Sequence, residues 1–342
     1  MQTKLREFAP LAAGLFAAAG ACVAQPAGPI VGFGDNTWGQ LNIPPGNFIA
    51  VTGTSGTAVG IRPDRTLQAW GAPSPPELNV PTGTFKAIDG GSNHYLGIRT
   101  DGTLVGWGYN FFGEASVPLG TFVKVSAGNK HGVGVRTDGT IAYWGLSYGG
   151  TIPAGNDFID VAAGLEFSAA LHVNGSIEVW GSGSPGVPVG GPFVQIGAGH
   201  MFLAGLGADG IIRTVGNGPS LGVLSTTPVF TMTVNQFSIF AIKPNGTLVG
   251  DPGIAPGIPQ GLFVAVGSDS GSNWFAISGN PCYANCDGST VSPFLTANDF
   301  QCFLNAFASS SAFANCDSST VSPVLTANDF QCFLDKYAIG CP

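Results

Sequence analysis

The sequence predicts an all-β fold: a seven-bladed β-propeller of repeats about 36 residues long, closed by its own N-terminal strand and followed by a small α-helical, disulfide-rich C-terminal module. Three observations predict it. A Trp-Gly ending recurs at Trp70-Gly71, Trp107-Gly108, Trp144-Gly145 and Trp180-Gly181, spaced by 37, 37 and 36 residues, the length of one supersecondary unit in a repeat architecture. The 342 residues hold 53 Gly and 25 Pro but only 9% charged residues, a composition suited to many short strands and turns. The ending that the last repeat lacks stands ahead of the first, at Phe33-Gly34.

The chain opens with Lys4 and Arg6, an apolar Ala/Leu/Phe run and small residues at Ala21 and Ala24. This is the pattern of a cleaved secretory signal over residues 1–24, and it places the protein outside the cytoplasm, secreted or at the cell surface. A membrane anchor or a lipid on Cys22 fits less well: Pro10 interrupts the run, and no leucine precedes Ala19-Gly20-Ala21. No later segment is long and apolar enough to span a bilayer. The formal charge of -8 argues against nucleic acid as a partner.

Residues 29–280 carry the repeats. Gly97 to Gly108, reading Gly-Ile-Arg-Thr-Asp-Gly-Thr-Leu-Val-Gly-Trp-Gly, is one hairpin, with Asp101-Gly102 as the expected type I′ turn. Asp138-Gly139, Asn174-Gly175, Asp209-Gly210 and Asn245-Gly246 repeat that chemistry, and Asp64-Arg65 departs from it. Weaker copies end at Val215-Gly216 and Asp251-Pro252. Upstream of each hairpin lies a third strand with an aromatic and, three residues on, an aliphatic: Phe48/Val51, Phe85/Ile88, Phe122/Val125, Phe158/Val161, Phe193/Ile196 and Phe263/Val266, with Phe230 continuing the series less cleanly. Such ribbons are marginal alone and must pack on one another. Ile30-Val31-Gly32-Phe33-Gly34 matches the missing hairpin ending, so the array is expected to close into a ring, which removes exposed edges. An open solenoid has no need of that strand.

Gly90-Gly91-Ser92-Asn93-His94, Asp101-Gly102-Thr103, Trp107-Gly108-Tyr109-Asn110 and Phe33-Gly34-Asp35-Asn36-Thr37-Trp38-Gly39-Gln40-Leu41 resemble the repeats of the regulator of chromosome condensation family, in the compact style of bacterial members such as the propeller-type β-lactamase inhibitor protein. The resemblance implies a propeller that binds other proteins. Nucleotide exchange and chromatin binding do not follow from it, because an exported acidic chain meets neither a nuclear GTPase nor nucleosomal DNA.

Within the ring, His94 and His131 share one repeat position, where Thr57 and Phe167 stand in other copies; they are read as blade residues rather than ligands. No nucleophile elbow and no phosphate loop is found, and no catalytic residue is assigned. The expected site is the segment after each Trp-Gly ending. Trp38, Tyr109, Phe111, Phe112 and Tyr148 lie there, where aromatics on a common rim could hold a protein or stack on a glycan; packing between blades is the alternative. Two other classes stay open: an extracellular enzyme with converging carboxylates or histidines in the central channel, and a structural surface-layer component.

The last segment, residues 281–342, is a tandem duplication in which Asn285 to Pro293 recurs as Asn315 to Pro323. Each copy runs into a capping-box-like Thr-x-x-Asp and apolar residues at helical spacing: Phe300, Phe303, Leu304 and Phe307, then Phe330, Phe333, Leu334 and Tyr337. The copies resemble the paired calcium loops of dockerin modules. That resemblance implies Ca²⁺ ligands at Asn285, Asp287, Ser289 and Asp299, and at Asn315, Asp317, Ser319 and Asp329, with a docking partner for the module. Tyr283 and Phe313 depart from the acidic first ligand. Repeat symmetry pairs Cys286 with Cys302 and Cys316 with Cys332, leaving Cys282 for Cys341, one of several pairings that six cysteines allow.

Overall fold

The computed structural model describes residues 27–72, 76–252, 257–271 and 273–279. The expected signal segment 1–24 and the module 281–342, with its cysteine and calcium assignments, lie outside them. The described chain is all-β. Its strands form seven three-stranded antiparallel sheets, arranged as propeller blades: blade 1 over residues 50–71, blade 2 over 85–108, blade 3 over 122–145, blade 4 over 158–180, blade 5 over 193–216, blade 6 over 231–250 and blade 7 over 263–278.

Blade 2 shows why the repeat folds this way. Phe85–Gly90, His94–Arg99 and Leu104–Gly108 are its inner, middle and outer strands, and the middle strand pairs with both others. Flanked by strands at its edges and by neighbouring blades on its faces, the middle strand has no solvent side. It is accordingly buried along its length, His94 included, with only Arg99 incompletely so. Packing runs from blade to blade: Leu96 and Ile98 share a cluster with Phe122, Ala142 and Trp144, and Phe122 meets Trp144 as Phe48 meets Trp70.

The N-terminal strand Ile30–Phe33 pairs with Trp274–Ser278 as the outer strand of blade 7. Its contacts repeat those made elsewhere. In other blades the hairpin-turn carbonyl takes the backbone N–H of the next blade's first aromatic, as in Phe122 to Gly102 at 2.8 Å and Phe263 to Gly246 at 2.9 Å; Phe48 makes the same bond to Gly28 at 2.8 Å. Ile30, Phe275 and Ile277 of blade 7 pack with Phe48, Val51 and Trp70.

Two expectations change. The hairpins are not type I′ turns, which require positive φ at both central residues. Gly102 has φ 91°, but Asp101 is not in that region. Instead Gly102 N donates to the Arg99 carbonyl at 2.9 Å, and the Asp101 carboxylate takes the Thr103 N–H and hydroxyl at 2.9 and 2.7 Å. A single left-handed residue after a three-residue turn is enough, and Arg65 fills that place in blade 1 with φ 71°. In blade 6 the repeat aromatic is replaced by Val229, not continued by Phe230: Val229 N bonds the Gly210 carbonyl at 2.9 Å and Val229 is buried, whereas Phe230 is 73% exposed.

Candidate binding face

In each blade the middle strand runs against its two neighbours, so the inner-to-middle turns and the segments after the outer strands emerge together on one face. Backbone bonds tie them: Tyr109 N to the Asn93 carbonyl and Leu146 N to that of Lys130, both 2.9 Å, and Asn217 N to that of Met201, 3.0 Å. The hairpin turns occupy the opposite face.

The aromatic loops are built on a recurring scaffold. The outer Trp residues donate their indole N–H inward to loop carbonyls, Trp70 to Gln40 at 2.8 Å, Trp107 to Glu77 at 3.1 Å and Trp144 to Glu114 at 2.9 Å. Gln40 and Glu114 are buried, and their side chains accept the N–H of Trp38 at 2.9 Å and of Phe112 at 2.7 Å. Anchoring the backbone inward leaves the aromatic ring outside. Asn36 and Asn110 close the same loops by accepting from Leu41 and Ala115.

Trp38, Tyr109 and Phe111 are 56%, 53% and 86% exposed. Phe112 is 37% exposed, edge-on to Phe111 at 5.0 Å with the Lys130 ammonium 4.6 Å above its ring. Tyr148 departs from the expected rim. Its loop lacks the Asn scaffold, and the ring is half-buried, edge-on to His131 at 5.4 Å. Exposed rings and rings packed against a blade therefore both occur on this face, at different residues. The same face carries Met201 and Phe237, exposed by 49% and 59%, with His200 5.8 Å from Phe237. The repeat pattern does not mark them, because they sit in inner-to-middle turns of the two most divergent copies.

Between the blades runs a channel of about 320 Å³, walled by the inner strands of all seven blades and opening on the aromatic face past Ser92, Asn129, Leu165, His200, Gln236 and Ser270. Polar side chains of the inner strands stitch blade to blade. Asp89 accepts the Ala127 N–H at 2.8 Å, Ser126 that of Ala163 at 3.1 Å, Asp160 that of Ile196 at 3.3 Å and Gln195 that of Met232 at 3.2 Å. Burial raises the Asp89 carboxyl to about 6. Asp269, likewise raised by burial, is held by the N–H groups of Gly271 and Asn273. His94 and His131 are wholly buried, beneath Gly91 and Gly128, where a Cβ would fall 2.6 and 2.4 Å from the imidazoles. His131 Nε2 meets the Ser168 hydroxyl at 2.9 Å. Burial holds both imidazoles down at about 4, with the charge of His131 adding to the effect on His94. They fill blades. Among the described residues, no group of three or more His, Cys, Asp or Glu could hold a metal ion.

Residues 85–114, blade 2 with the loop bearing Tyr109, Phe111 and Phe112, match the model of the regulator of chromosome condensation (RCC1) repeat. No curated protein matches the chain. Similar solved folds include the ectodomain of the Physcomitrella patens receptor kinase CR4 (22% identity, 64% of this chain and 67% of that one, TM-score 0.57). The CRINKLY WD40 ectodomain of Arabidopsis thaliana ACR4 is also similar (21%, 64% and 86%, TM-score 0.55), as is human WBSCR16 (13%, 74% and 100%, TM-score 0.60). The chain thus carries RCC1-like repeats in an all-β fold of propeller blades.

Proposed function

We propose that this is a non-catalytic, extracytoplasmic binding protein whose aromatic face engages another protein, with its C-terminal module serving attachment. The observation that carries this is the exposure of Trp38, Tyr109, Phe111 and Phe112 on one face, on loops whose Asn36, Asn110, Gln40 and Glu114 side chains bond their own backbone. Apolar rings in the open are anchors for association. A glycan needs hydrogen-bonding side chains beside its stacking platform. Here Asn36, Asn110, Gln40 and Glu114 are committed to their own loops, which favours a protein partner.

Asp89 accepts a backbone N–H of the next blade and Asp269 accepts those of its own turn, which supports a structural role for the channel carboxylates rather than hydrolysis. Ala27 and Gly279 both lie on the hairpin face, since Ile30 pairs with Ile277 near the end of its strand. A module attached there leaves the aromatic face free. The calcium reading of that module is tested by melting the full chain with Ca²⁺ and with chelator, where binding shifts the transition upward.

The test of the main reading compares wild type with a Trp38→Ala/Phe111→Ala/Phe112→Ala variant in recovering proteins and glycans from the surrounding medium, with affinity then measured for each recovered species. The expected result is a protein partner whose binding weakens at least tenfold in the variant. Equal recovery by both overturns the assignment of this face, and recovery of a glycan alone overturns the choice of partner.

A further inference from the structure

The hairpin face carries an apolar arc that the binding reading does not use. In five blades the inner strand has a bulge just after its first aromatic, between Phe85/Ala87, Phe122/Lys124, Phe158/Asp160, Phe193/Gln195 and Phe263/Ala265. A bulge takes one residue out of the strand's alternation and re-aims it. Across blades 3 to 7 the residue at that register is Val123, Ile159, Val194, Phe230 and Val264. Val123, Val194 and Phe230 are exposed by 38%, 54% and 73%, and Ile159 and Val264 beside them are half-buried against the blade cores. Adjacent inner strands pack side by side, so these positions adjoin around the channel end opposite the aromatic face. Single exposed apolar residues are ordinary; a contiguous run marks a surface that something covers.

The described chain ends against this arc. Gly279 N donates to the Leu262 carbonyl at 3.1 Å, and a Cβ on Gly279 would fall 2.8 Å from Val264 Cγ1. Asn280-Pro281 then leads directly into Cys282, so there is no linker with which to move away. Residues 281–342 bring two stripes of Phe and Leu at helical spacing. A unit of about 60 residues buries only about 60% of its surface by itself. It arrives with apolar area to cover, beside an apolar surface that lacks a cover.

We propose that segment 281–342 seats on the hairpin face of its own chain, its Phe-rich stripes covering Val194, Phe230 and Val264. The aromatic face then points away from the point of attachment. This goes beyond the binding reading and does not depend on it.

Photocrosslinking of the full-length chain tests it. With p-benzoylphenylalanine replacing Phe230, crosslinked peptides are expected to join position 230 to residues 281–342 within one molecule; the same group replacing Phe111 is expected to give none. Crosslinks from position 230 to a second copy, or absence of any to 281–342, overturn the proposal. In parallel, Val194→Glu/Phe230→Glu in the full chain is expected to speed proteolysis within 281–342 at least tenfold without moving the urea midpoint of the blades. Unchanged proteolysis of the tail counts against the seat.

Discussion

The two faces of the blades use aromatic residues in opposite ways. On the hairpin face Arg62, Arg99 and Arg136 lie over the rings of Phe48, Phe85 and Phe122 at 3.9, 5.1 and 5.5 Å, and each ring is wholly buried. There the aromatic recurs with the repeat and serves the blade. On the other face Trp38, Tyr109 and Phe111 stand in the open on loops that differ from copy to copy. Aromatics kept from blade to blade therefore hold the fold, and those carried by only some of the loops are free to meet a partner.

The largest effect expected on this contrast comes from truncating a blade Trp. Trp107→Ala opens a cavity and removes the indole bond to Glu77, at a cost of about 3–5 kcal/mol, whereas Trp38→Ala should lower stability by less than about 0.5 kcal/mol. Urea denaturation of the two variants measures both, and similar losses would erase the distinction. Next comes acid. His94 and His131 fall from an ordinary 6.5 to about 4 in the fold, so the unfolded chain takes up protons first as pH drops. Their neutral burial contributes fully above pH 6.5 and is lost progressively toward pH 4, by about 3 kcal/mol each. Melting between those pH values should show the loss, and a His94→Gln/His131→Gln variant should flatten it.

A smaller effect separates binding from stability. The triple aromatic variant should lose at least tenfold in affinity, about 1.4 kcal/mol, with its melting temperature unmoved; a parallel fall in melting would assign these rings to the fold. Smallest is the hairpin turn itself. Asn174 accepts the Ser176 N–H and hydroxyl at 2.9 and 2.7 Å, and Asn174→Ala should cost about 1 kcal/mol with no change in partner affinity, as checked by the same denaturation and binding assays.

Local pattern revealed the three-strand unit because its middle strand is largely apolar and its turns are punctuated by Gly. The match of Ile30 to Gly34 with Thr103 to Gly108 likewise pointed to the strand that pairs with Trp274–Ser278. Asp-Gly alone could not distinguish a two-residue turn from a three-residue one, since both place Gly in the left-handed region; the register of Arg99 with Thr103 decides. Phe230 looked like the sixth repeat's core aromatic, yet the bond from Val229 to Gly210 shifts it outward by one residue. Tyr148 was ambiguous between rim and blade packing, and Met201 and Phe237 went unmarked, because exposure depends on what lies across from a side chain, and sequence distance carries no such information.

By itself, then, the sequence determined the period, the strand content and the aromatic-bearing loops, all set by neighbours within a few residues. Which aromatics face solvent, which carboxylates bond the next blade and which face carries the chain ends were decided only in the tertiary structure. Those outcomes depend on contacts between blades about 37 residues apart, as between Asp89 and Ala127 or Ser126 and Ala163, and burial is a property of such contacts.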